Sequence, residues 1–138
     1  MGCLLLLVVF VNVPGIRASA GNTMAMTEWQ LQSFADPSGV LTPALLGYPV
    51  TVRFTPDGTV FGFSGCNQYS AMYTTKDYGI TITPPVQTHF SCNDPGLMAQ
   101  EGTYLADLGN STEFRLTDPG LKMYGHNGLP LLVFIPRT

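Results

Sequence analysis

The chain has 138 residues, 45% apolar and 11% charged, with 15 Gly, 11 Pro and a net charge of −3. That length holds one domain with a hydrophobic core, and many Gly and Pro with few charges point to short strands and turns rather than surface helix. The basic residues are few and scattered, which argues against nucleic acid or an anionic membrane surface as a partner.

Residues 1–20, "MGCLLLLVVFVNVPGIRASA", carry an apolar run, a Pro-Gly break and a small-x-small Ala18-Ser19-Ala20, the pattern of a secretory signal peptide cleaved before Gly21. The run is too short to span a bilayer, so no stable membrane insertion of the mature domain is expected. Loss of the leader removes only Arg17 from the charge count and leaves five basic against nine acidic groups, a net of −4. Met1-Gly2 lacks the context for myristoylation, and Cys3 lacks the apolar stretch that precedes a lipidated cysteine.

Residues 21–27 are small and polar and read as a flexible tether to a domain over 28–138. "EWQLQSF" alternates as a first strand, with Trp29, Leu31 and Ser33 on one face and Gln30, Gln32 and Phe34 on the other. "ADPSGVLTP" reads as loop. "YPVTVRF" alternates again, and Thr55-Pro56-Asp57-Gly58 supplies the turn into Thr59–Phe63, so a β-hairpin is predicted. Tyr69–Tyr73 and Gly79–Thr83 follow as short strands, the latter stopped by Pro84-Pro85.

A single helix is predicted over "NDPGLMAQEGTYLADLGN", with Asp94 as N-cap, Pro95 in the first turn, Leu97, Met98, Leu105 and Leu108 on one face, and Gly109-Asn110 at its end. Strand patterns return as "EFRLT", "LKMYG" and "LPLLVFIP", the last two joined by a tight turn at Asn127-Gly128. The whole reads as a compact α+β domain in which a strongly curved antiparallel sheet, a partial barrel, wraps over one helix.

These elements carry residues suited to several chemistries. "GFSGC" departs from the serine elbow at Cys66, and the segment after it is strand-like. Cys66 with His89 would make a nucleophile and base for a small secreted hydrolase or inhibitor-like protein. Cys66, His89, Cys92 and His126 would make a metal site only if His89-x-x-Cys92 had a second half, which is missing. With the leader removed, Cys66 and Cys92 are an even pair bound for an oxidising compartment, and their disulfide stabilises the fold by about 3.5 kcal/mol in the chain-entropy account. Glu101 reads as helix surface or as a partner for a turn, and Phe61, Phe63, Tyr69 and Tyr73 as core or as the lining of a groove. No phosphate-binding loop occurs, and no cofactor is implied.

The order Trp29-Gln30-Leu31, "VTVRFTPDGTVFGFSGCNQYSAMY", "ITITPPVQTHFSC", a helix with Glu101 and "YLADL", and a final "LKMYGHNGLPLLVF" resembles the META domain, the HslJ-like family that includes the bacterial heat-shock protein HslJ. The resemblance covers residues 27–136. It implies an exported, periplasmic or extracellular protein of the cell envelope, linked to stress tolerance or virulence and without enzymatic activity. Its motif positions fall on Trp29, Gly65, Cys66, Asn67, Tyr69, Cys92 and Glu101, with structural roles. Two departures are the missing lipobox and "THFSCND", where the family commonly carries T-x-M-A-C. A monomer binding an unidentified protein or small molecule is the expectation.

Overall fold

The computed structural model describes residues 24–118 and 120–137, so the predicted leader and residues 21–23 of the predicted tether lie outside the described residues. The elements are β1 (Glu28–Ala35), β2 (Leu41–Pro43), β3 (Thr51–Phe54), β4 (Thr59–Phe63), β5 (Gln68–Lys76), β6 (Gly79–Ile82), β7 (Val86–Gln87), α1 (Pro95–Asn110), β8 (Glu113–Leu116), β9 (Leu121–Tyr124) and β10 (Pro130–Pro136).

Antiparallel pairing runs from β1 through β3, β4, β5, β6, β8, β9 and β10 and then returns to β1. These eight strands form a closed barrel. The partial barrel expected from the sequence, and with it the description of an open curved sheet in an α+β domain, is therefore incorrect. Closure comes from the first and last strands, which pair from Trp29 opposite Pro136 to Phe34 opposite Leu132. Neither strand carries a mark of its partner when read alone.

The ring is not uniform. β6 meets β8 at Gly79 opposite Glu113, where Ile80 N–H donates to Thr112 O at 3.0 Å and Phe114 N–H to Tyr78 O at 2.9 Å. α1 touches β6 and also β1 and β10, which lie on the far side of the ring, so the helix bridges opposite walls. Asp94 caps it by accepting from Gly96 and Leu97 N–H, as the sequence predicts. Its buried face is wider than four apolar positions: Gln100, Glu101 and Tyr104 are buried with Leu97, Leu105 and Leu108.

β1 departs from simple alternation. The register slips between Leu31 and Ser33, leaving Gln32 as an extra residue, and Phe34 thereby joins Trp29 and Leu31 in the core. Inside the barrel, Phe54, Phe114, Phe134, Leu121, Met123 and Leu132 are fully buried, each worth roughly 1.5–3 kcal/mol against exposure. Met24, placed in the flexible tether by its sequence, also lies in the core, and its carbonyl accepts from Trp29 Nε1 at 3.1 Å. The two strands absent from the sequence reading, β2 and β7, are short and pair only with β1 and β5 respectively.

Candidate functional site

The turn after β4 brings the predicted motif residues together under α1. Gly65 has φ of +109°, and a Cβ there would stand 2.8 Å from Leu97 Cδ1, so the chain turns at this point because the residue is glycine. The turn aims its donors at Glu101, one helical turn before Tyr104 and Leu105. Glu101 is 2% exposed.

Glu101 Oε2 accepts from Ser64 Oγ at 2.7 Å, Asn67 N–H at 2.8 Å and Cys66 N–H at 3.1 Å. Its Oε1 accepts from Asn67 Nδ2 at 2.6 Å. No ion pair among the described residues neutralises this carboxylate. Burial pushes the carboxyl up, but the opposing pull of the Asn67 amide, the Ser64 hydroxyl and the Asn67 and Cys66 N–H groups prevails, and it titrates below the ordinary range. The buried charge is held by dipoles alone.

Asn67 faces two ways. While its Nδ2 donates to Glu101, it also reaches Phe90 O at 3.0 Å, and its Oδ1 accepts from Phe90 N–H at 2.7 Å and Thr88 Oγ1 at 2.9 Å. The amide therefore acts as a backbone surrogate that binds the strap between β7 and α1 to the Gly65 turn. A second tie lies beside it, the Cys66–Cys92 disulfide, with Cα atoms 6.0 Å apart. The side-chain partners of Asn67 are Glu101 and residues more than twenty positions away, so it ties distant segments together.

The remaining candidates separate. Cys66 sulfur is bonded to Cys92 and offers no thiolate to His89, which is exposed. Among the described residues no three His, Cys, Asp or Glu side chains gather as a metal site requires. Tyr69 lies in the core against Tyr104, with ring centroids 5.6 Å apart, and its hydroxyl donates to Thr51 O at 2.7 Å. Trp29 is likewise core. Phe61 and Phe63, grouped with Tyr69 by sequence, instead face outward.

Further along α1, burial pushes the Asp107 carboxyl up to about 7; the Ala35 N–H draws it down and the Asp36 charge adds to the rise. Its Oδ2 is buried without a hydrogen-bond partner. The sequence gives no signal for this group, because its position depends on where β1 ends.

Comparison with known proteins bears on the fold and the family. A protein from Burkholderia xenovorans solved by NMR is 26% identical and superposes with a TM-score of 0.68 over 86% of this chain and 87% of that one. A second NMR structure has 17% identity and a TM-score of 0.65, covering 86% of this chain and 95% of its own. The crystal structure of a duf4847 family protein from Bacteroides vulgatus has 11% identity and a TM-score of 0.56, covering 81% and 93% of the two chains. No curated protein matches the chain. The META domain family model matches residues 22–137, and with the barrel and the Gly65–Glu101 arrangement in view, the chain belongs to the META domain family.

Proposed function

We propose that this is an exported, non-enzymatic META domain of the HslJ-like kind, which acts as a monomer in the cell envelope, in stress tolerance or surface and virulence-related binding, by holding a protein or small-molecule ligand on its outer face. One observation carries the reading. Every donor around Glu101 and both cysteines are engaged with each other, so the motif positions brace the domain, and contact with a ligand falls to the barrel exterior. A disulfide supports an oxidising compartment. No helix among the described residues is long and apolar enough to cross a membrane.

The test is expression of the full chain in a bacterial host with fractionation, intact mass and complementation of a deletion strain under heat and envelope stress. The expected product starts at Gly21, lies outside the cytoplasm, gains no mass with a thiol alkylator and restores survival. Equal rescue by a leaderless, reduced version would overturn the export reading. Turnover of an ester, peptide or glycoside panel by the purified protein would overturn the non-enzymatic one.

A further inference from the structure

The outer face of β4, β5 and β7 carries a trough of about 640 Å³. Its cross-section follows from strand register. Phe61 stands opposite Ser70, which stands opposite Val86; in the next row Phe63 stands opposite Gln68, whose carbonyl accepts from Thr88 N–H. Residues directly opposite share a face, so two phenyl rings form one wall, Val86 and Thr88 the other, and Ser70 with Gln68 the floor between them.

Phe61 and Phe63 are 42% and 37% exposed, and Val86 is 72% exposed. Ser70 and Gln68 are exposed, and neither the Ser70 hydroxyl nor the Gln68 amide makes a side-chain hydrogen bond among the described residues. Gln87, also lining the trough, has its Oε1 buried without a partner. The lining holds no Lys or Arg, and its one charge, Glu28, is paired with Arg53 at 3.4 Å and Arg137 at 3.7 Å.

This chemistry selects among ligands. An anion finds no cation, and a cation finds a carboxylate already occupied. A wholly apolar segment would cover the rings but strip water from Gln68 and Ser70 without replacing their hydrogen bonds, which opposes its binding. A sugar ring has apolar C–H faces and hydroxyl edges, and so matches aromatic walls and a neutral floor of amide and hydroxyl together. We propose that the trough is a binding site for a neutral carbohydrate chain, stacked on Phe61 and Phe63 with its hydroxyls met by Gln68 and Ser70. The proposal rests on the reading of the protein as a binding module and names its ligand class.

The buried cage supports this site. Thr88 Oγ1, which accepts from Gln68 N–H at 3.2 Å, donates in turn to Asn67 Oδ1. The second wall is therefore fixed to Glu101 through Asn67, and a preorganised wall lowers the ordering that binding must supply.

The experiment is titration of the oxidised, exported protein with neutral tetrasaccharides of β-1,4-linked N-acetylglucosamine, β-1,4- and α-1,4-linked glucose, and mannose, followed by amide chemical shifts and calorimetry. At least one is expected to bind at about millimolar Kd or tighter, with shifts confined to β4, β5 and β7 and little change between low and high salt. Phe61→Ala, Phe63→Ala and Ser70→Leu should each weaken it about tenfold or more, with unchanged melting temperature, whereas Leu46→Ala, outside the trough lining, should not. No shift from any of the four up to about 10 mM, or shifts elsewhere on the barrel, would overturn the proposal. Binding of a Val- and Leu-rich nonapeptide in the trough without any saccharide would overturn the carbohydrate assignment and leave the binding reading standing. Saccharide hydrolysis would do the reverse, supporting the assignment and removing the non-enzymatic reading.

Discussion

Replacing Glu101 by Gln removes one charge and adds an NH2 group with two N–H donors, and the cage leaves that group no acceptor where it faces Asn67. Three donors converge on Oε2, so the Gln carbonyl must take that position and its amide must face Asn67 Nδ2, donor against donor. Asn67 cannot relieve this by turning over, because its Oδ1 already accepts from Phe90 N–H and Thr88 Oγ1. One unmade buried hydrogen bond and the loss of charge assistance on the others amount to about 3 kcal/mol. For a domain of this size that is a fall of roughly 15 °C in melting temperature.

The assay is thermal denaturation of the oxidised protein at several pH values. Glu101 has its carboxyl lowered in the fold, so its stabilisation is complete above the unfolded carboxylate range and disappears as pH falls through the folded value. The gap between wild type and Glu101→Gln should therefore be widest at neutral pH and close in acid. Adding Asn67→Asp to Glu101→Gln restores an acceptor opposite the new amide, keeps both bonds to Oδ1 and loses the donation to Phe90 O; it should recover about 1 kcal/mol or more. A Glu101→Gln protein melting within a few degrees of wild type at pH 7 would refute the cage as a stabilising element.

Asp107 carries the opposite sign. Its carboxyl is raised in the fold to about 7, so stability falls as pH rises from the unfolded carboxylate range to that value and is level above it. Because the group is only half buried, the loss is discounted to about 1–2 kcal/mol, and Asp107→Asn should raise the melting temperature at pH 8 while changing little at pH 5. The Cys66→Ser, Cys92→Ser double variant should lose about 3.5 kcal/mol yet keep its far-ultraviolet spectrum, since Asn67 still holds the strap; adding Asn67→Ala should then abolish hydrogen-exchange protection at Thr88 and Phe90. Gly62→Ala should fail to fold, because its Cβ would lie 2.0 Å from the Thr51 carbonyl oxygen, and soluble wild-type-like protein from this variant would show that the β3–β4 contact is wrongly placed.

Local patterns carried much of this fold. Alternation and turn chemistry marked the β3–β4 and β9–β10 hairpins, and Asp94-Pro95 marked the start of α1. Long-range properties were not legible. Pairing between Trp29 and Pro136 depends on how six other strands curve, and the bulge at Gln32, which turns Phe34 inward, is a response to that closure. At the site, the resemblance grouped Gly65, Cys66, Asn67, Cys92 and Glu101 with Trp29 and Tyr69, which lie in the core, and left Ser64 out, since a serine in a turn looks like any other. Phe61 and Tyr69 were indistinguishable as aromatics on strands; their opposite fates follow from register, which one strand read alone does not contain.

The pairing of the first strand with the last has a consequence for biogenesis. A chain made from its N-terminus presents β1 long before β10 exists in the same space, and Phe134, fully buried in the core, arrives only with β10. Until then β1 has one edge unsatisfied and the core lacks a wall, so the growing polypeptide stays open and protease-sensitive. Sealing waits for β10, and because it joins the barrel strands farthest apart in sequence it is a slow step. A stop codon placed before β10 would leave the barrel unable to close.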